Sequence, residues 1–234
     1  MKSQDFIKLF RELFGNNVSL PIVYNYTNEP MANTPKFGGC IFKKLVEIDH
    51  GEIVSVNTSN LQCGGGRFYT GFTDMPNRVP NYVSATEHYK QTADLVLQSI
   101  RQMDVQRAPA EWLNIWRVDQ TETLDDIEGM IFLATPDELS GLCGWAFYDN
   151  SDPEAVLATF GSGCSALFAN VTTENKRGGQ RCFIGLFDPS ARAFIDKDKL
   201  GFAIPKSRLE TMLFTVNENF LTQSSAWAKI KDRM

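Results

Sequence analysis

The sequence predicts a mixed α/β fold of the α+β class, in which one sheet is covered by helices. Short β-branched and aromatic segments alternate with amphipathic helical segments along most of the chain. Hydrophobic residues make up 43% of the 234 residues, which is enough for one substantial core. Connections between the segments are short, which favours a single compact domain over residues 1–234. The segment RAPAE interrupts the pattern, so any boundary between two closely packed halves falls near residue 109.

The chain begins with a predicted helix followed by a strand. The helix ends at Gly15, because glycine readily adopts the left-handed conformation of a C-cap. Residues 18–27 are β-branched and aromatic, which is typical of a strand. Pro21 cannot donate to a sheet ladder, so we expect this strand at the edge of the sheet. The apolar face of the helix consists of Phe6, Leu9, Phe10, Leu13 and Phe14.

Two further helices and a strand are predicted before residue 109. One helix begins near Cys40 and ends around residues 49–51, and a half-buried strand follows over residues 51–58. Ser84 and Glu87 have the S-x-x-E spacing of a capping box, which predicts a helix from this point to Met103. The residues that recur at helical intervals in this segment are Tyr89, Ala93, Val96, Leu97, Ile100 and Met103.

The second half contains two predicted strand-to-helix units. Residues 111–118 and 129–134 have the composition of buried strands, and the latter lead directly into Thr135-Pro136-Asp137-Glu138. Here Thr135 is the expected N-cap, and Glu138 completes a capping box. Residues 200–204 form the other strand, which leads into Pro205 and a helix. The apolar stripe of that helix consists of Leu209, Leu213, Val216 and Phe220.

Charge and composition exclude several classes of function. The 23 Lys and Arg residues against 28 Asp and Glu residues give a net charge of −5, which argues against nucleic acid as the main partner. The first 15 residues mix charged and apolar side chains, so they are neither a signal peptide nor a membrane span. We therefore expect a soluble cytoplasmic protein with no membrane partner, whose five cysteines are reduced thiols. A homodimer is compatible with these data.

The stretch LQCGGGRFYTGF, residues 61–72, contains a cysteine followed by three glycines and an arginine. Consecutive glycines carry a large cost in backbone entropy, so they occur where the chain needs unusual dihedral angles or approaches something closely. Backbone N–H groups in such a loop can bind an anion, with charge supplied by Arg67. The glycines do not open a helix in the register of a dinucleotide fingerprint, and a plain loop is an equally simple interpretation. The ligand-binding candidates are Gly64, Gly65, Gly66, Arg67, Ser162 and Gly163.

The cysteines follow a repeated pattern. Gly39-Cys40 and Gly163-Cys164 are each followed by a second cysteine, Cys63 or Cys182, in the pattern C-x-x-G-x-F. A degenerate internal duplication would give two pseudo-symmetric halves and bring the four cysteines together. Four converging thiolates would suit zinc or an iron–sulfur cluster, although the chain has no C-x-x-C spacing. Buried packing is the simpler interpretation of any one cysteine, above all of Cys143 in the apolar run GLCGWAF.

A single activated cysteine is an alternative to the metal site. Cys63 precedes three glycines and an arginine, and Cys164 lies where a helix can start, so either setting would lower a thiol pKa. A nucleophilic cysteine also needs a base. The two histidines, His50 and His88, have no spacing that indicates such a role, so a Cys–His enzyme is not favoured.

Several segments of this chain resemble the uncharacterised bacterial and archaeal family called domain of unknown function 169. They are FGGCIFKKLVEIDHGE, CGGGRFYTGF, FGSGCSALFA, GGQRCFIGLFDPSAR and LGFAIPKSRLETM. The resemblance implies recurrent cysteines at the positions of Cys40, Cys63, Cys164 and Cys182, and a final strand, proline and helix. Relatives often have proline where this chain has Gly64, and some have a cysteine where it has Gly185. The resemblance implies no substrate and places Cys143 outside the pattern.

Two hypotheses follow for the function. In the first, Cys40, Cys63, Cys164 and Cys182 converge and bind zinc or an iron–sulfur cluster, or act as a redox thiol group with a redox partner. In the second, the protein is non-catalytic and binds a small anionic metabolite through residues 64–67. Whether the protein is an enzyme stays open, and a third possibility is that the cysteines only pack in the core.

Overall fold

The computed structural model describes residues 1–45 and 47–234. It contains one seven-stranded mixed sheet with the strand order β2-β3-β1-β4-β7-β6-β5. Neighbouring strands are antiparallel except for β5 and β6, which pair in parallel. The predicted mixed α/β fold is therefore confirmed. The strands are β1 (Ile22–Thr27), β2 (Val54–Val56), β3 (Trp112–Arg117), β4 (Gly129–Ala134), β5 (Val156–Leu157), β6 (Cys182–Gly185) and β7 (Leu200–Pro205).

Helices cover both faces of the sheet. The α-helices are α1 (Ser3–Phe14), α2 (Leu45–Asp49), α3 (Gly64–Tyr69), α4 (Val79–Asn81), α5 (Ala93–Met103), α6 (Pro136–Tyr148), α7 (Asn170–Arg177), α8 (Pro189–Arg192), α9 (Lys206–Thr215), α10 (Phe220–Gln223) and α11 (Ser225–Lys231). Short 3-10 segments are Ile41–Lys44, Val118–Gln120 and Val216–Glu218, and π-helical turns are Tyr82–Thr86 and Ser165–Ala169. Among the described residues, no helix combines the length and the apolar character needed to cross a membrane.

Two hydrophobic cores form because side chains alternate between the faces of each strand. In β4, Phe132 points into one core and Ile131 into the other. The first core packs α1, α6, α9, α10 and α11 against the sheet, with Trp145 and Trp227 almost fully buried. The second core packs the segment 41–49, the π-helical turn at residues 165–169 and α7 against the opposite face. The candidate site lies on the side of this second core.

Several predicted elements are confirmed with their terminating residues. Helix α1 ends at Gly15, whose φ of 98° needs glycine, and its N–H bonds to the carbonyl of Arg11. Thr135 and Glu138 form the reciprocal hydrogen bonds of a capping box at the start of α6. Strand β7 ends at Pro205, from which α9 continues directly.

Two local predictions are wrong. Strand β1 is an interior strand between β3 and β4. Pro21 precedes its first residue, so the missing N–H removes no ladder bond, and the Pro21 carbonyl accepts a hydrogen bond from the N–H of Val118 at 2.9 Å. Ser84 does not cap a helix, because its hydroxyl donates to the carbonyl of Pro80 at 2.8 Å inside a π-helical turn. Helix α5 begins only at Ala93, where Thr92 is the N-cap.

The strand order has the arrangement expected of two related halves. Outward from the boundary between β1 and β4, one side has β1, β3 and β2, and the other has β4, β7 and β6. On each side the strand that comes first in the sequence, β1 or β4, is innermost. The strand that comes second, β2 or β6, is farthest from the boundary if the short edge strand β5 is left aside. The segments that follow Cys40 and Cys164 also pack on the same face of the sheet. The internal duplication itself stays a prediction.

Candidate functional site

A cavity of about 540 Å³ lies beside the second core. Three helix starts contribute to the lining: the segment after Cys40, helix α3 and the π-helical turn after Cys164. Helix α4, the π-helical turn that follows it and α5 also contribute to it. The volume lies within the range of small-molecule sites in proteins. The lining includes three thiols, one buried carboxylate and two aromatic rings: Cys40, Cys63, Cys164, Asp188, Tyr89 and Phe160.

Cys40 and Cys164 come from different halves of the chain, and both line the cavity. Each precedes a helical segment on the same face of the sheet. Gly163 is closely packed, since a Cβ there would lie 2.4 Å from the Phe42 ring and 2.5 Å from Leu186. The rings of Phe42 and Phe168 are stacked with their centroids 6.3 Å apart.

The two thiols are chemically different. Interaction with the Cys164 thiol lowers the pKa of Cys40, and interaction with Cys40 raises the pKa of Cys164. The Phe42 N–H and the Lys43 charge also lower the pKa of Cys40, while burial and the Asp188 carboxylate raise it. Cys164 is 4% exposed, whereas Cys40 is only partly buried. Cys40 is therefore the thiol that ionises first, and Cys164 is its protonated partner.

Cys63 and the three glycines form a helix start, contrary to the predicted loop. Gly64, Gly65 and Gly66 open α3 with ordinary helical backbone angles. Cys63 is the N-cap, and its Sγ accepts a hydrogen bond from the Gly66 N–H at 3.3 Å.

Close packing and the cavity explain the glycines better than unusual dihedral angles do. A Cβ on Gly64 would lie 3.2 Å from Pro76, and one on Gly66 would lie 3.3 Å from the Cβ of Cys63. A Cβ on Gly65 would meet no atom within 4 Å. Residue 65 therefore borders open space in the cavity wall.

Cys182 does not belong to this site. It lies in β6 next to Phe183, and the alternation of the strand directs Phe183 into the second core and Cys182 into the first. Cys143, which was expected to be unrelated, packs against this same first core, and burial raises the pKa of both thiols. The expected convergence of four cysteines is wrong for Cys182, because the sheet separates it from the cavity.

The described part of the chain contains no group of three or more His, Cys, Asp or Glu side chains arranged to hold a metal ion. Cys40, Cys63 and Cys164 all line the cavity, but they are not arranged as the ligands of one metal ion. Neither His50 nor His88 is among the described residues that line the cavity. A base for the thiols has to come from another kind of side chain.

The predicted glycine-loop residues line the cavity with one exception. Gly64, Gly65, Gly66, Ser162 and Gly163 contribute to its wall. The structure does not bring Arg67 together with them, because the Arg67 Nε–H donates to the carbonyl of Leu61. The lining cations are instead Arg78 and Lys90, which carry no motif in the sequence.

Asp188 is the lining residue that the sequence interpretation missed. Its side chain is 2% exposed, and its Oδ1 accepts hydrogen bonds from the Ser190 hydroxyl and from the Ala191 N–H, the latter at 3.2 Å. Its Oδ2 is buried and has no hydrogen-bond partner among the described residues. The sequence Asp188-Pro189 is an N-cap followed by a first-turn proline, so the cap could have been predicted from it. The lack of a hydrogen-bond partner for Oδ2 could not be predicted from the sequence.

The structure is a mixed α/β fold with a ligand-sized cavity, and Cys40 and Cys164 are both in the cavity wall. The chain belongs to the family of uncharacterised ArCR proteins, domain of unknown function 169, whose model matches residues 19–214. The search of curated proteins and the search of solved structures found no match. The resemblance noted from the sequence is thus confirmed, and the family supplies no activity.

Proposed function

We propose that this protein exchanges thiols and disulfides with a small molecule bound in the cavity, using Cys40 as the nucleophile and Cys164 as the resolving thiol. One observation carries the proposal: Cys40 and the buried Cys164 both line a ligand-sized cavity, and their interaction lowers the pKa of Cys40 and raises that of Cys164. A nucleophilic cysteine needs access and a stabilised thiolate, and a resolving cysteine needs to be within bonding reach of it. The partial exposure and lowered pKa of Cys40, and the influence of Cys164 on that pKa, support these roles for the pair.

The reaction has two steps. The Cys40 thiolate attacks one sulfur of an organic disulfide, forms a mixed disulfide and expels the other half as a thiolate. Cys164 then loses its proton and attacks the Cys40 Sγ, which forms the Cys40–Cys164 disulfide and releases the second half. Two electrons pass from the cysteine pair to the substrate disulfide, and the proton of Cys164 leaves on a released thiol. A dithiol redox partner would reduce the pair again by the reverse exchange.

The other cysteines support this assignment by contrast. Cys143 and Cys182 pack against the first core, and burial raises the pKa of both thiols, whereas the pKa of Cys40 is lowered. Cys63 lines the cavity, but its sulfur accepts the Gly66 N–H as an N-cap. We therefore assign Cys63 to the structure of the cavity wall. Zinc or an iron–sulfur cluster is not part of the proposal, because no described ligand group supports it.

Binding of an anion through residues 64–67 receives less support. Arg67 was to provide the positive charge, and its Nε is bonded to the carbonyl of Leu61 away from the cavity lining. The cavity also contains the buried carboxylate of Asp188, which repels an anion.

Trapping of the mixed disulfide tests the proposal. The Cys164→Ser variant is treated with bis(2-hydroxyethyl) disulfide, and intact-protein and peptide masses identify the modified residue. We expect one mercaptoethanol adduct on Cys40 in this variant and no lasting adduct in the unaltered protein, because Cys164 displaces it. Cys182→Ser is the matched control and should resemble the unaltered protein. Modification of Cys40 no faster than of Cys143 would refute the proposal.

A further inference from the structure

We propose that the cavity selects a ligand with a cationic amine group, and that Asp188 binds this group. For the thiol chemistry, the substrate class would be disulfides or thiols that carry an ammonium group. That part rests on the proposed function, whereas binding of an amine at Asp188 does not require a reactive cysteine.

The buried carboxylate lacks a charged partner. Removing a carboxylate from water without pairing it costs several kcal/mol. Asp188 takes part in none of the ion pairs formed by the described residues, and its Oδ2 has no hydrogen-bond donor among them. A cation bound in the cavity would offset the charge of Asp188, which forms part of the cavity wall.

The nearby basic side chains have other contacts. Arg192 follows Asp188 on α8, but its guanidinium donates to main-chain carbonyls, including those of Lys197 at 2.8 Å and Asp196 at 3.1 Å. Lys43 lies over the ring of Phe194, with its Nζ 5.5 Å from the centroid. Arg78 and Lys90 line the cavity wall, and neither forms an ion pair with Asp188 among the described residues. Neutralisation of Asp188 is thus left to a ligand.

Aromatic side chains complete a site for an amphipathic amine. The rings of Tyr89 and Phe160 meet edge to face with centroids 6.2 Å apart, and Phe160 also contacts Phe187 at 5.9 Å. Tyr69 lines the same space. An ammonium group is attracted to aromatic faces, and the carbon chain of the ligand can pack against their edges. Phe160 is 46% exposed and marks the mouth of the cavity.

Amine binding would also activate the thiol. The negative charge of Asp188 disfavours ionisation of Cys40 and Cys164. A bound ammonium group offsets this charge and favours the Cys40 thiolate. A substrate with an amine would therefore promote the ionisation that its own reduction requires. Glu87 is the other carboxylate of the cavity wall and is the alternative partner for the amine.

The test compares three disulfides that differ in charge: cystamine, bis(2-hydroxyethyl) disulfide and dithiodiglycolate. Rates of adduct formation at Cys40 are measured in Cys164→Ser and divided by the rate of each reagent with a free cysteine derivative. We expect a preference for cystamine over the neutral reagent of roughly tenfold, the effect of one charge-assisted hydrogen bond. Asp188→Asn, which keeps an N-cap side chain, should abolish the preference for cystamine. Asp152→Asn, on an exposed loop, should leave this preference unchanged.

A second measurement separates the amine site from the thiol chemistry. Thermal shifts are recorded with butylamine on Cys40→Ser, with and without Asp188→Asn. A shift that depends on Asp188 supports the amine site even if no disulfide reacts with Cys40. If Cys40 reacts equally with all three reagents and butylamine gives no Asp188-dependent shift, the amine site is refuted while the exchange reaction stands. The assignment of the amine to Asp188 is also refuted if Glu87→Gln loses the preference for cystamine while Asp188→Asn keeps it.

Discussion

Cys40 and Cys164 line the same cavity and shift each other's pKa in opposite directions, and the two residues lie at the starts of helical segments from different halves of the chain. Only Cys40 is partly accessible, whereas Cys164 is buried. The pair therefore combines an exposed sulfur that ionises readily with a protonated donor behind it. The charge of Asp188 raises the pKa of both thiols.

Loss of the thiol donor should reduce the reactivity of Cys40. Because the Cys164 hydrogen bond lowers the pKa of Cys40, Cys164→Ala raises it, and the pH–rate curve for alkylation by iodoacetamide moves to higher pH. At neutral pH we expect alkylation of Cys40 to slow by roughly tenfold, the equivalent of one hydrogen bond to a charged group. An unchanged curve would show that Cys164 does not stabilise the thiolate.

Neutralising the buried carboxylate should have the opposite effect. The charge of Asp188 raises the pKa of Cys40, so Asp188→Asn lowers it and moves the same pH–rate curve to lower pH. The variant retains an N-cap side chain at the start of α8 and should fold normally. Alkylation is measured by peptide mass spectrometry, with Asp152→Asn as the control. A movement to higher pH would contradict the assigned electrostatics.

Gly163 should not tolerate a methyl group. The added Cβ would lie 2.4 Å from the Phe42 ring, so Gly163→Ala forces the packing between Phe42 and the start of the π-helical turn to shift. We expect a loss of about 1–3 kcal/mol in the free energy of unfolding, as in overpacked cores. Urea denaturation provides the value. Gly65→Ala is the matched control, since its Cβ meets no atom within 4 Å, and its stability should not fall.

Cys182 should matter for stability and not for thiol reactivity. Cys182→Ser places a hydroxyl in an apolar core and should lower the free energy of unfolding by about 1–3 kcal/mol. The alkylation rate of Cys40 in the folded protein should be unchanged, because the sheet lies between the two residues. A coupled loss of Cys40 reactivity, measured below the unfolding transition, would favour the four-cysteine site that the sequence suggested.

Local signals account for the parts of the fold that could be predicted. The capping box at Thr135 and Glu138 and the C-cap at Gly15 act within one helical turn, so the sequence around them is sufficient. The spacing of Ser84 and Glu87 is the same signal, but Ser84 bonds to the Pro80 carbonyl and the backbone of His88 turns to a φ of 56° before α5 begins. Tertiary context overrode the motif there.

The site could be predicted only in part for a similar reason. Cys40, Cys63 and Cys164 occur at glycine-rich helix starts, and all three line the same cavity. The face of the sheet to which Cys182 points depends on the register of β6. A shift of one residue in this register would turn Cys182 to the other face. The free Oδ2 of Asp188 depends on which distant side chains surround it. No short sequence pattern encodes either property.

Peptide mapping of the oxidised protein tests the central claim most directly. The unaltered protein is equilibrated with bis(2-hydroxyethyl) disulfide and unfolded in urea, where its remaining free thiols are blocked with iodoacetamide, and its disulfide-linked peptides are identified by mass spectrometry. The account predicts a Cys40–Cys164 disulfide as the main product, with Cys143 and Cys182 still recovered as alkylated thiols. Recovery of Cys40 and Cys164 in separate alkylated peptides, or a disulfide that joins other cysteines instead, would contradict it.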